Sequence, residues 1–320
     1  MHTYYAPEGA NITTSFKGYE QCSTIASLEH AYIHNTILEG TVTMCDSNFD
    51  LHINLGECEG IIKREEVMLC FNEEKIKDIA ILTRVGKTVC FKVLGFKKHN
   101  DRIIAMLSRK EAQKDCYNNY LSRLSPGDII PARVTHLENF GAFVDIGCGI
   151  ISLLSVDCIS VSRISHPKDR LVCGMNITTV IKSIDRSTGR IYVTHRELLG
   201  TWEQNAARFA PGLTVSGIVR SIEQYGIFIE LAPNLAGLAE LRESKDAHNL
   251  IEIGHHAAVY IKNIIPERMK IKLVIIDVHK SATHFPAPPE YFIDTATNKH
   301  IDRWLYSPTC SERVIETVFS

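Results

Sequence analysis

The 320-residue chain is long enough for two or three ordinary domains, and its 45% hydrophobic and 22% charged residues are typical of a globular protein. The net charge of −2 weighs against a protein that holds duplex DNA through a broad basic surface. No long apolar run and no basic leader occurs, so we expect neither a membrane span nor a signal peptide. Ten scattered cysteines without a C-x-x-C pair suit a reducing cytosol.

A repeated stretch of sequence dominates the chain. Its faintest copy, TILEGTVTMCDSNFDLHINLGECEG, begins at Thr36. A second copy, PGDIIPARVTHLENFGAFVDIG, begins at Pro126, and a third, PGLTVSGIVRSIEQYGIFIELA, begins at Pro211. Each copy continues into two further β-rich runs, which gives five short strands in about 70 residues. This is the size of an oligonucleotide-binding (OB) fold.

We therefore predict an all-β protein of three tandem five-stranded OB-fold barrels joined by short helical linkers. The predicted order is an N-terminal extension at 1–35, a degenerate module at 36–114, the best-matching module at 125–196, a third module at 211–280, and a tail at 281–320. The linkers are predicted as helices over Asp115–Leu124 and Glu197–Phe209. The aromatic, proline-containing tail is predicted to pack on the third module; the alternative is a free tail that folds on a partner.

Strand alternation indicates which side chains face outward. In the second module Ala142, Val144 and Ile146 share the core face, so Phe143 faces solvent. The same parity turns Phe228 outward in the third module and His52 in the first. A recurring exposed aromatic suggests a platform on which bases stack, although a loop or a neighbouring module could cover it. Phe140 and Tyr225 have inward parity, so alternation alone places them in the core.

The stretches GDIIPARVTHLENFGAFVDIG…IKSIDRSTGRIYVTHREL and GLTVSGIVRSIEQYGIFIELAPNLAGLAEL resemble the RNA-binding repeat of bacterial ribosomal protein S-one. The same repeat occurs in polynucleotide phosphorylase and several ribonucleases. The resemblance covers about 36–280 and is strongest in the second module. It implies an OB barrel whose RNA surface is formed by two exposed aromatics, a histidine on the third strand, and an aspartate and an arginine around the last turn.

The resemblance implies a set of RNA-binding residues in each module. In the second they are Phe140, Phe143, Ser155 (at the histidine position), Asp185 and Arg190, to which we add the loop residue His166. In the third they are Tyr225, Phe228 and Lys270, with Glu240 at the histidine position and Pro266 at the aspartate. In the first they are Phe49, His52, Lys63, Lys97 and Arg102. Glu240 is expected to repel phosphate, and the first module's lysines could equally form a solvated face.

These features predict a cytoplasmic, monomeric RNA-binding protein that holds single-stranded mRNA with low sequence specificity at the small ribosomal subunit. The alternative is an adaptor that docks on the ribosome or a ribonuclease, or a regulator of RNA decay. No phosphate-binding loop, zinc-site spacing or acid–base pair is apparent, so we expect no enzyme activity, no cofactor and no metal. His195, at the end of the second module, is expected to contact RNA or solvent.

Overall fold

The computed structural model describes residues 5–10, 24–70, 76–99, 102–240, 251–280 and 286–319, without the side chain of residue 99. Within these ranges the chain forms three closed five-stranded barrels and one small two-stranded sheet. The predicted all-β architecture of three OB-type barrels is therefore confirmed. No helix in the described part of the chain is long and apolar enough to cross a membrane.

The strands follow one another in chain order, five to a barrel. Barrel 1 contains β1 (Leu38–Cys45), β2 (Leu51–Asn54), β3 (Glu59–Ile62), β4 (Thr88–His99) and β5 (Arg102–Ser108). Barrel 2 contains β6 (Ile129–Glu138), β7 (Gly141–Asp145), β8 (Ile151–Ser155), β9 (Asn176–Asp185) and β10 (Arg190–Thr194). Barrel 3 contains β11 (Thr214–Glu223), β12 (Gly226–Ala232), β13 (Leu235–Glu240), β14 (His256–Ile265) and β15 (Lys270–His279).

All three barrels close in the same way. The first strand pairs with the second and the fourth, and the third strand pairs in parallel with the fifth. Inward positions on alternate residues fill each interior: Ala142, Val144 and Leu154 are fully buried in barrel 2, as Ile229 and Val259 are in barrel 3. The outward residues of the second and third strands therefore lie side by side on one outer face of each barrel.

Short helices lie between and beside the barrels. They are α1 (Ile25–Ile33), α2 (Asp78–Leu82), α3 (Arg109–Asn119) and α4 (Trp202–Ala206). The first linker helix begins at Arg109, directly after β5, and only its end overlaps the predicted range. The second linker is a 3₁₀ turn over Arg196–Leu199 followed by α4. Gly200, with φ +85°, separates these two pieces in a backbone conformation that favours glycine.

A buried ion pair joins the N-terminal segment to the junction of barrels 1 and 2. Arg109 is 1% exposed, and its Nε lies 2.6 Å from Glu8 Oε1. The same guanidinium donates to the carbonyls of Val67 in barrel 1 and Gly149 in barrel 2. α1 also contributes Leu28 and Ala31 to the core of barrel 1. The described parts of the N-terminal extension are thus integral to the first two barrels.

The C-terminal tail packs across barrels 2 and 3. It contains the small sheet of β16 (Arg303–Leu305) and β17 (Glu316–Val318). Trp304 and Tyr306 are buried in the core of barrel 3, as predicted for a docked tail. The tail also contacts barrel 2, which was not predicted: the Lys299 carbonyl accepts a hydrogen bond from the Ile129 amide at 2.8 Å. One segment therefore holds two barrels together.

Asn234, which is fully buried, bridges barrels 2 and 3 directly. Its Oδ1 accepts a hydrogen bond from the Val161 amide at 2.9 Å, and its Nδ2 donates to the carbonyls of Arg196 and Gly200 at 2.8 and 2.9 Å. Its own carbonyl accepts from the Tyr306 hydroxyl at 2.7 Å. Asn234 thus connects barrel 2, the linker, barrel 3 and the tail.

Candidate nucleic-acid interface

Barrel 2 carries an aromatic pair on its outer face. Phe140 and Phe143 meet edge to face, with ring centroids 5.9 Å apart and an interplanar angle of 87°. Phe140 is 55% exposed, and Phe143, which faces outward from β7, is half-buried beneath it. An apolar ring exposed to this extent, supported by a second ring, offers a flat surface to a nucleobase.

Barrel 3 repeats this aromatic pair with the same geometry. Tyr225 and Phe228 have ring centroids 6.1 Å apart and an interplanar angle of 90°. Tyr225 is 63% exposed, and Phe228 is half-buried. We call the two pairs the aromatic platforms of barrels 2 and 3. The same edge-to-face pair thus recurs at the same hairpin of both barrels, with one ring in the turn before the second strand and the other ring on that strand.

Turn geometry explains why Phe140 and Tyr225 face outward. Both lie in the two-residue turn before the second strand, where strand alternation does not apply. The following glycine approaches the third strand closely: a Cβ on Gly141 would lie 2.5 Å from the Leu154 carbonyl oxygen, and one on Gly226 would lie 2.7 Å from that of Ala239. The core placement indicated by alternation is therefore wrong, and the exposure implied by the family resemblance is confirmed.

His136 adjoins the platform of barrel 2, and Tyr192 lies two strands away from Phe143; the sequence analysis identified neither. The His136 ring lies 6.4 Å from that of Phe143 at an interplanar angle of 22°. A register shift between Val134 and His136 turns this histidine outward, against simple alternation. Phe143 pairs across the strands with Leu153, and Leu153 pairs in turn with Tyr192 on β10. Its outward parity between Ile191 and Val193 is the signal that could have identified it.

The last turn of barrel 2 places Asp185 opposite Arg190, as cross-strand partners. Asp185 accepts hydrogen bonds from Ser187 and Thr188, and these bonds lower its carboxyl pKa to about 2. The aspartate thus remains ionised and fixes the turn, while Arg190 is exposed. This arrangement leaves a cation available beside the barrel face.

The other two predicted residues of barrel 2 have partners of their own. Ser155 ends β8 opposite Gly141, which places it next to the platform, and its hydroxyl donates to Asp157. His166 caps the 3₁₀ turn Pro167–Asp169, where its Nδ1 accepts a hydrogen bond from the Lys168 amide at 3.0 Å. Both side chains are half-buried, and their contact with RNA remains a prediction.

Polar residues around the platform of barrel 3 differ from those of barrel 2. Glu240 forms an ion pair with Lys272, with Oε1 and Nζ 3.5 Å apart, so its charge is partly offset. Lys270 is exposed, and its cross-strand partner is Ile265; Pro266 is one residue beyond the position that corresponds to Asp185. The turn of barrel 3 therefore has a lysine but no aspartate to pair with it.

Among the residues of barrel 1 that the structure describes, Phe49 and His52 do not form an aromatic platform. His52 lies between two carboxylates, with Nδ1 2.6 Å from Glu59 and Nε2 3.3 Å from Asp46. Burial alone would lower the pKa of His52, but the hydrogen bonds that its ring donates to Glu59 and Asp46 outweigh burial and raise the pKa. Phe49 is half-buried and lies under the guanidinium of Arg64, 4.7 Å from its centroid. Both rings therefore interact with charged side chains of barrel 1 itself.

The structure brings two of the three predicted cations of barrel 1 together. Lys97 and Arg102 are exposed on the last hairpin, where Lys97 pairs across the strands with Ile104 and Arg102 lies two residues further toward the tip on the same face. The two are therefore diagonal neighbours. Lys63 lies elsewhere and pairs with Asp50, with Nζ and Oδ2 2.5 Å apart.

His195 is a buried junction residue and not a surface contact, so the expectation that it meets RNA or solvent is wrong. It is 2% exposed, with Nδ1 3.0 Å from the Ile159 carbonyl oxygen and Nε2 3.4 Å from the tail hydroxyl of Tyr291. Burial lowers its pKa to about 4. The sequence did not reveal this role because the contact depends on a segment almost a hundred positions away.

Comparison with known families agrees with this geometry. Residues 123–196, which include all of barrel 2, match the S1 RNA binding domain. Barrel 2 is thus similar to that domain, and the platform of Phe140 and Phe143 lies within the matching segment.

The chain is also similar to curated bacterial proteins over a longer range. It is 30% identical over 261 residues to small ribosomal subunit protein bS1 of Staphylococcus aureus strain COL, covering 78% of this chain and 63% of that protein. It is 28% identical over 201 residues to the bS1 homolog of Bacillus subtilis strain 168, covering 61% and 50%. The resemblance to the ribosomal protein S-one family is confirmed, and the chain spans between half and two thirds of these relatives.

Among solved structures, a multidomain protein with nucleic acid binding domains from Streptococcus pneumoniae matches with a TM-score of 0.24 and 13% identity. The match covers 76% of this chain and 73% of that one. Similarity at this level adds nothing to the assignment made from barrel topology and sequence.

Proposed function

We propose that the chain binds single-stranded RNA with low sequence specificity through the aromatic platforms of barrels 2 and 3. The observation that carries this proposal is the duplicated edge-to-face pair, because nothing in the barrel cores requires two half-exposed rings at the same turn. Stacking accepts every base, since each has a π-face, and it accounts for low specificity. Lys270, which lies near Phe228, and Arg190, two residues from Tyr192 on β10, supply phosphate contacts.

The biological setting that we propose is translation. The relatives are named as small ribosomal subunit proteins, so the chain would hold mRNA in the cytoplasm at or near that subunit. Because the chain covers only part of those relatives, its action on the subunit needs its own test: purified small subunits should co-sediment with the protein. An adaptor would co-sediment equally well when both platforms are removed, whereas an mRNA-holding protein would then no longer retain RNA on the subunit.

The decisive experiment removes one exposed ring. Phe140→Ala should weaken binding of an unstructured oligoribonucleotide by about 1–3 kcal/mol, the usual loss of one base–aromatic stack, as measured by fluorescence anisotropy. The melting temperature should change little because the side chain lies outside the core. Tyr32→Ala is the matched control: Tyr32 is 50% exposed and meets Phe96 at 80°, but it lies on α1. Equal affinities for both variants would contradict the proposal.

A further inference from the structure

A cleft of about 700 Å³ lies between the platform side of barrel 3 and the tail. This volume is within the range of roughly 300–1,000 Å³ found for small-molecule sites. Barrel 3 contributes a platform ring and a basic turn, and the tail contributes the facing wall. The lining residues that matter here are Phe228, Arg268, Lys270, Tyr306, Glu312 and Arg313.

The tail wall is a ten-residue loop, 306–315, that is held in place by backbone hydrogen bonds. The Tyr306 amide donates to the Ile315 carbonyl at 2.9 Å, and the Ile315 amide donates to Ser307 Oγ at 2.7 Å. The Glu312 amide donates to the Glu267 carbonyl at 2.9 Å, which attaches the loop to the connection between β14 and β15. The loop thus lies beside the turn that corresponds to Asp185–Arg190 of barrel 2.

The charges in this cleft leave two cations available. Arg268 Nε lies 3.6 Å from Glu312 Oε1, so these two groups offset each other. Lys270 and Arg313 are exposed and have no ion pair among the residues that the structure describes. Glu267 is the remaining carboxylate of the lining, which leaves a small positive balance. Both free cations lie in the lining that includes Phe228.

We infer that the tail completes the RNA-binding site of barrel 3. The cleft takes one nucleotide of single-stranded RNA, with its base against the Phe228 side and its phosphate between Lys270 and Arg313. Arg313 compensates for the polar residues that barrel 3 lacks at its own turn. This inference rests on the proposed function, because the same strand would contact the platform of Tyr225 and Phe228.

The test measures binding of labelled oligouridine to the 320-residue chain. Arg313→Gln should weaken binding about five- to tenfold and make the slope of log affinity against log salt shallower by about 0.7, the value for one lost phosphate contact on a single strand. Arg313→Lys should restore most of the affinity. The control is Lys299→Gln, which removes the same charge from an exposed tail residue whose Nζ donates only to the Thr295 carbonyl. Circular dichroism melts check that each variant is folded.

Each outcome supports or overturns the inference. Unchanged affinity for Arg313→Gln overturns it, as does an equal loss for Lys299→Gln, which would indicate a general charge effect. Tighter binding by Arg313→Gln would show that the loop covers the site, and also overturns the inference. Phe140→Ala distinguishes failure of this inference from failure of the proposed function. If Phe140→Ala weakens binding while Arg313→Gln does not, the proposal of RNA binding stands and only the role of the tail is refuted.

Discussion

Acid should loosen the contact between barrel 2 and the tail through His195. The Ile159 carbonyl can only accept a hydrogen bond, so Nδ1 of the neutral ring carries the proton and Nε2 is an acceptor. Nε2 faces the Tyr291 hydroxyl, which lies within reach of Nε2 at 3.4 Å and of the Thr178 carbonyl at 3.5 Å. A second proton on Nε2 would end that acceptor role and place a charge in a site that is 2% exposed. The fold therefore favours the neutral imidazole.

The sign and the size of the effect follow from the pKa. Burial lowers the pKa of His195 from 6.5 to about 4, so below pH 6.5 the unfolded chain takes up a proton that the folded chain does not bind. The contribution of neutral His195 to the free energy of unfolding is thus fully present above pH 6.5 and is lost as the pH falls toward 4. Between pH 7 and pH 4.5 the loss is roughly 2 kcal/mol for this one group.

The assay compares urea unfolding of the wild type with that of His195→Asn at several pH values. The asparagine amide keeps a donor near the position of Nδ1 but does not titrate, so its cost should be nearly constant with pH. The destabilisation of the variant relative to the wild type should therefore shrink by roughly 2 kcal/mol on going from pH 7 to pH 4.5. A difference that stays the same across this range would refute the reasoning.

Two further predictions concern binding and assembly. Affinity for single-stranded RNA should fall with salt with a log–log slope of about −1.5 to −3, since only two to four phosphates are contacted; a steep slope with equal binding of duplex RNA would contradict stacking. Asn234→Ala should destabilise the chain by about 2–4 kcal/mol in urea titrations, because buried groups of barrel 2 and the linker lose their partners. Asn298→Ala, at an exposed tail position, should change stability by less than about 0.5 kcal/mol; comparable losses for both variants would show that Asn234 is not a bridge.

The barrels and the platforms could be predicted from the sequence because their signals are local. Alternating residues such as Ala142 and Val144 define a core face over five positions, and the position of Phe143 on the other face follows from the pleat. The exposure of Phe140 and Tyr225 did not follow from alternation, since a turn interrupts it. The family resemblance supplied that information because it describes the whole hairpin.

The remaining features depend on contacts that have no local signal. His136 faces outward because one extra residue is inserted in β6, and such a bulge has no reliable signature in one sequence. The ion pairs of His52 and Lys63 join residues on, or directly next to, different strands of barrel 1, so the sequence showed only a mixture of charges. The tail's bridge to barrel 2, through residues such as Tyr291, joins positions more than a hundred residues apart.

The bridge made by Asn234 and the tail also affects how strongly two linked binding sites can act together on one RNA strand. In a string of domains on flexible linkers, the second binding event occurs at an effective concentration set by the length and stiffness of the linker. Here hydrogen bonds from Asn234 fix the linker between barrels 2 and 3, so the distance between the two platforms is set by the fold. Less conformational entropy then has to be lost when one strand engages both. The flexibility of the RNA, and not that of the protein, then sets the avidity.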